Sequence, residues 1–408
     1  MQGNGYWSDL VSEWFTFTET ARTTEIHRLW AGISLIAGAC GRRVWARAVG
    51  GKRTYPNLYV MLVGPPGTGK GIIDEIKAFW TDAMDPTGGH AFKVASDSMT
   101  RASMIDELNK ATSVHIPKEG PPITMHSLLV AAEEFQVLLP TYDPSTVSVL
   151  NALWNNKETH SETRRHGPAK EVKIVRPQLN IIGGMQPSYL AEHFPDATWN
   201  TGLIRRIIMV YASEAPRKEL FTGDNGAARA KNRILQRLGQ ISLLYGQMKW
   251  TQDAAEKINE WHMAGCPPEP GHTKLQVYNT SRTELAIKLC MVSTISRTAD
   301  FTIELTDVNR AIEWLVEAES HMPDIFRAMQ GKSDAAVIDE LHYHMMELWV
   351  RNGKKPIATP SIVHFLSTRV AADKIQRVMQ IAEGANIITR YAGTETWYPR
   401  PRHQHGVE

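Results

Sequence analysis

Residues 57–63, Asn-Leu-Tyr-Val-Met-Leu-Val, run without a break into Gly64-Pro65-Pro66-Gly67-Thr68-Gly69-Lys70-Gly71, and the next residues, IIDEIKAFWTDAM, place apolar side chains at helical spacing. A continuously apolar run with β-branched members suits a strand buried on both faces, as in a parallel sheet covered by helices. A buried strand joined through a glycine turn to an amphipathic helix commits the chain to an α/β fold with a mostly parallel sheet.

The flanking sequence continues in that sense. WSDLVSEWFTF and EIHRLWAGISLIAGACGRR read as two helices and RRVWARAVG as a strand. Further on, MTRASMIDELNKA predicts a helix, SVHIPKEGPPITMH a hairpin turning at Gly120-Pro121-Pro122, and SLLVAAEEF a second buried strand that ends in two carboxylates. LNIIGG (179–184) and RRIIMVYAS (205–213) add two more strands. From about Asn225 to Met329 the strand signals stop and helical patterns dominate, RAMQGKSD reads as a linker, and the tail predicts three helices and two short strands around Gly393. The expected organisation is an N-terminal helical segment over 1–50, a nucleotide-binding core over 51–223, a helical region over 224–330 and a separate domain over 334–408.

The loop has the spacing of a phosphate cradle. Gly64, Gly67 and Gly69 allow close backbone approach, Lys70 reaches β- and γ-phosphates, and the following helix aims its positive end at the anion. Pro65, Pro66 and Thr68 complete the turn. The position after the lysine normally carries Ser or Thr, whose hydroxyl ligates Mg²⁺, but here Gly71 and Ile72 follow. The two carboxylates of AAEEF supply the expected second half. Glu133 would hold Mg²⁺ through water and Glu134 would polarise an attacking water. The same pair would also suit the acidic start of a helix.

Composition adds limits. A formal net charge of +2 gives no global pull towards nucleic acid, so such binding must come from a local cluster. Cys40, Cys266 and Cys290 form neither a CxxC pair nor an even disulfide framework, which fits a reducing cytosol. No apolar run of about 18 residues and no signal-peptide pattern is present, so the expected location is the cytoplasm, with no membrane partner.

Taken in order, PNLYVMLVGPPGTGKG, TRASMIDEL, AAEEF, LNIIGGMQPSYL and NTGLIRRIIMVY resemble AAA+ ATPases, in particular phage and prophage replication ATPases similar to primase-helicase C-terminal halves and superfamily 3 helicases. The resemblance implies a P-loop NTPase core that takes ATP and Mg²⁺ on residues 64–72. It also implies Gln186 as a γ-phosphate sensor, Arg206 as an arginine finger acting on a neighbouring subunit with Arg205 at the adjoining serine position, and Arg282 as a second sensor opening a lid helix. A finger of this kind implies a homo-oligomeric ring, commonly a hexamer. The first 50 residues would then suit a collar that helps assembly, or simply packing.

Residues 155–175 read as a hairpin with Gly167-Pro168 at its turn and Arg164, Arg165, His166, Lys170 and Lys173 around it. In related ring helicases a hairpin at this place tracks DNA in the pore, and cations there would hold phosphates of single-stranded or forked DNA without reading sequence. A solvated charged hairpin would look the same. The tail resembles a winged helix with few cations, which favours docking of another replication protein or weak DNA contact. The expected activity is ATP hydrolysis coupled to translocation on, or unwinding of, DNA in phage or mobile-element replication. The alternatives are a helicase loader or remodeller and a nucleotide-gated scaffold with little hydrolysis.

Overall fold

The structure is a computed structural model of the chain, describing residues 8–138, 143–163, 171–194, 198–199, 201–219, 226–329, 334–370, 372–391 and 393–400. The chain divides into two compact units, 1–329 and 330–408. Both mix helices with strands, and the first contains parallel sheets.

The first unit opens with α1 (Leu10–Phe17) and α2 (Glu25–Cys40), whose starts are capped by the Asp9 carboxylate and the Thr24 hydroxyl. All of α2 beyond its first two residues is buried, as in a helix enclosed on every side. After β1 (Val44–Arg47) and β2 (Arg53–Thr54) comes β3 (Tyr59–Val63), buried throughout. The chain continues through α3 (Ile72–Asp82), α4 (Arg101–Lys110), β4 (Thr112–His115) and β5 (Ile123–Ala132). Next follow α5 (Pro144–Trp154), β6 (Thr159–Thr163), β7 (Glu171–Val175), β8 (Pro177–Met185), α6 (Pro187–His193) and β9 (Ile207–Tyr211). The unit closes with α7 (Ala227–Ile241), β10 (Gly246–Trp250), α8 (Gln252–Met263), α9 (Gln276–Asn279), α10 (Arg282–Arg297), β11 (Thr302–Ile303) and α11 (Leu305–Met329).

The main sheet has the order β4-β5-β8-β3-β9. β5, β8, β3 and β9 are parallel, and β4 joins β5 antiparallel at the edge. The continuous apolar run of β3 therefore occupies an interior strand with helices over the sheet. The second arm of the hairpin and the acidic strand, distinct in the sequence pattern, are one strand: β5 pairs with β4, the first arm, over its first part and with β8 along most of its length.

One expectation needs correcting. Strands do not stop after residue 213, because β10 and β11 join β1 and β2 in a second sheet of order β11-β10-β1-β2. These strands are short, and β10 reaches β1 across about 200 residues of chain. Of the two roles open to the N-terminal segment, collar or packing, its described residues, 8–50, show packing into the core. Trp14 and Trp30 are fully buried, and Asp9 and Glu13 pair with Arg310 and Arg233 of the helical region. A helix that is apolar all round has no face to leave in water.

The second unit contains α12 (Asp334–Arg351), β12 (Ile357–Ala358), α13 (Thr359–Ser367), α14 (Ile375–Gly384), β13 (Ile388–Arg390) and β14 (Thr396–Pro399). The two expected strands pair around Gly393, and β12 adds a third on the far side of β14. Its core includes Leu341, Leu366, Val378, Ile388 and Trp397. α11 reaches Met329, so the first residues read as linker are helical. Among the described residues, no helix is long and apolar enough to cross a membrane, and the three cysteines are buried and free.

Candidate functional site

The carboxyl ends of β3, β5 and β8 come level, with Val63 opposite Met185 and Ala132 opposite Gly183. Open parallel sheets bind ligands in the crevice beyond those ends. A cleft of about 350 Å³ lies there, lined by Lys70 and Gly71 from the glycine loop, Glu133 and Glu134 after β5, and Gln186 after β8. These residues are far apart in sequence and were singled out for separate reasons; the sheet brings them together.

The loop is shaped by what it must avoid. Gly69 has φ +81°, and a Cβ there would fall 2.2 Å from the Arg22 carbonyl oxygen and 2.5 Å from Thr23 Oγ1. The Thr23 hydroxyl donates to the Gly69 carbonyl at 2.8 Å, so the turn between α1 and α2 braces the loop. At Gly184 a Cβ would meet the Glu133 carbonyl oxygen at 2.3 Å and Lys70 Cδ at 3.3 Å. β8 is bare where the lysine passes.

Lys70 folds back into the loop, where Nζ donates to the carbonyls of Gly64 at 2.7 Å and Pro65 at 2.9 Å and, more weakly, to Thr68 Oγ1 at 3.4 Å. Burial lowers the lysine's pKa, and Glu134 acts against that. No side chain caps the start of α3; its first amides, of Ile72, Ile73 and Asp74, donate to the carbonyls of Gly69, Lys70 and Gly71, and the partial positive charge of the helix start stands at the loop.

Position 71 explains itself in part. A Cβ on Gly71 would lie 3.7 Å from Glu133 Oε1, so the acid stands beside the place a hydroxyl would have filled. A hydrogen bond with Asp74, the charge of Asp74, burial and the charge of Glu134 together raise the Glu133 carboxyl's pKa. Crowded carboxylates of this kind favour a cation with oxygen ligands. Among the described residues, no group of three or more His, Cys, Asp or Glu side chains is placed to hold a metal. A divalent ion here would complete its shell with water and ligand oxygens. Glu134 Oε2 accepts from Gln136 Nε2 at 2.6 Å.

Sequence reasoning missed several residues. Gln136 and Tyr189 line the cleft, Asp74 faces Glu133, and His27 lies buried behind the loop. His27 Nε2 is 3.1 Å from the Val210 carbonyl oxygen and Nδ1 has no partner; burial pushes its pKa down to about 4. Only Asp74, one helical turn beyond Lys70, had a signal in the sequence.

Other expected residues lie elsewhere. Ile72 turns its side chain into the core, at 4% exposure. Arg206 is not an outward finger: it is 7% exposed, and its guanidinium donates to the side-chain oxygens of Asn151 and Asn155 and to the Gly202 carbonyl. Arg205 beside it is partly exposed. Arg282 is not at the cleft either. It is fully buried, forms a bidentate ion pair with Glu319 at 2.8 and 2.5 Å, and donates to the carbonyls of Cys266 and Pro268. Four of its five N–H donors are committed to protein acceptors, and full burial keeps the guanidinium from a phosphate in the cleft.

β6 and β7 pair antiparallel, with exposed Lys173 opposite Ser161. Arg164, Arg165, His166 and Lys170 lie outside the described residues. No protein-family model matches the chain, and no curated protein matches its sequence.

Proposed function

We propose that this chain is a ring-forming ATP hydrolase of the AAA+ kind that translocates on or unwinds DNA in phage or mobile-element replication. The observation that carries the reading is the convergence of Lys70, Glu133, Glu134 and Gln186 on one cleft at the ends of adjacent parallel strands. Gly67, Gly69 and the start of α3 receive the phosphates. Lys70 exchanges its loop carbonyls for the β- and γ-phosphates. Mg²⁺, when bound, neutralises charge on those oxygens. Glu133 anchors it through water, Glu134 orients the attacking water, and Gln186 reports on the γ-phosphate.

Arg205, the partly exposed neighbour of Arg206, takes the finger role across a subunit interface. A cation at that place is known to raise phosphoryl-transfer rates by about 10³–10⁵. The β6–β7 hairpin supplies the cations for single-stranded DNA, and the second unit acts as a winged helix that docks another replication protein. A second reading, a loader or nucleotide-gated scaffold with little turnover, is favoured by Gly71, which has no hydroxyl to order the metal.

Steady-state ATP hydrolysis with Mg²⁺, with and without single-stranded DNA, decides between them. The motor reading expects turnover that DNA accelerates and Lys70→Ala abolishes. Tight ATP binding without turnover favours the scaffold, and activity unchanged in Lys70→Ala removes the site.

A further inference from the structure

We propose that a second cavity, with Arg43 in its wall, binds a small phosphate ester about the size of a nucleoside monophosphate. The cavity has a volume of about 520 Å³, within the usual range for small-molecule sites, about 300–1,000 Å³. It lies against the early part of β5, at Met125 and Ser127, whereas the proposed ATP cleft lies beyond the end of that strand at Glu133. Six residues of strand separate Ser127 from Glu133, about 20 Å.

Arg43 is the unusual group. Gly41, with φ +52°, turns the chain at the end of α2, and the arginine folds back so that Nη2 donates to the Ala39 carbonyl. Nε is buried without a partner, and the side chain contributes to the cavity wall at only 9% exposure. The Phe92 ring lies 5.9 Å away. Among the described residues no carboxylate pairs with this guanidinium, and burial brings its pKa down to about 10. An unpaired buried cation is costly. A guanidinium used only for packing would be better replaced by an apolar side chain of the same shape, so its retention beside an open cavity points to an anion that completes it.

The rest of the wall selects the ligand class. Lys93 and His90 are exposed at the cavity, and His115 stacks on Tyr245 with ring centroids 3.8 Å apart. Two cations, Arg43 and Lys93, with the imidazoles of His90 and His115 in the same wall as hydrogen-bonding groups, favour a phosphate dianion over a single carboxylate. Phe92 and Leu129 offer an apolar surface for the organic remainder. Asp85 is the opposing charge, but its Oδ1 accepts from the Thr87 amide and hydroxyl and from the Gly89 amide.

The test uses the full chain carrying Lys70→Ala, which silences the ATP cleft and separates this proposal from that one. AMP and inorganic phosphate are titrated by calorimetry and by thermal unfolding. Both are expected to bind and to raise the Tm. Adding Arg43→Met should raise the ligand-free Tm yet weaken AMP binding by about tenfold or more. Lys93→Glu, exposed and compatible with the fold, should weaken it severalfold. Absence of AMP binding, equal affinity in Arg43→Met, or unchanged affinity in Lys93→Glu if Arg43→Met fails to fold, would each overturn the proposal. So would binding of a 5′-phosphorylated oligonucleotide where AMP does not bind.

Discussion

Gly71 is where a single residue bears most directly on the proposed activity. Its backbone is helical, φ −59°, and a Cβ would meet Glu133 Oε1 only at an ordinary 3.7 Å, so nothing steric demands glycine. Gly71→Ser is therefore expected to fold normally, gain a few tenths of a kcal/mol as a helix cap, and lower the Mg²⁺ concentration for half-maximal turnover severalfold. A Mg²⁺ titration of ATPase rate checks this; an unchanged midpoint would mean Glu133 and Asp74 already meet the metal's needs. Lys70 and Glu133 were legible in the sequence because each belongs to a local strand-and-turn pattern. The buried state of Arg206 was not, because two adjacent arginines look alike until Asn151 of α5 and Asn155 just past its end are folded against one of them.

Among the elements, α10 and α11 show how a functional reading can dissolve into packing. Arg282 opens α10, and Glu319 meets it from α11 while also accepting from the Tyr278 hydroxyl at 2.9 Å. Burial raises the carboxyl's pKa and the arginine lowers it. Arg282→Met alone should cost about 3–5 kcal/mol, because it strands a buried carboxylate, whereas Arg282→Met with Glu319→Leu should recover most of that loss. Denaturant unfolding measures both, and ATP affinity should not change in the double variant. A large loss of ATP affinity there would return Arg282 to the nucleotide. The helix pattern of α10 was plain in the sequence, but its partner 37 residues on was not.

For the whole molecule, the proposed ring makes a distinct prediction. Wild-type protein mixed with Arg205→Ala should lose ATPase activity faster than simple dilution, because each variant subunit also disables its neighbour's site. Arg206→Ala, which leaves Asn151 and Asn155 without their donor, should instead lower Tm and show proportional mixing. Proportional mixing for Arg205→Ala would argue against a shared site. The two units, each with its own core, correspond to a change in sequence pattern near residue 330. Nothing in that pattern announced that 8–50 and 226–329 close on the same core as the parallel sheet.

The sequence by itself determined the parallel β3–loop–α3 unit, the strand carrying Glu133 and Glu134, and the helices of both units, because apolar periodicity and glycine spacing act over a few neighbouring residues. Tertiary structure decided which arginines are free, which short segments become strands, and that Arg43 stands unpaired beside a cavity. Those outcomes depend on burial and pairing by residues up to some 300 positions away, and local pattern holds no record of such partners.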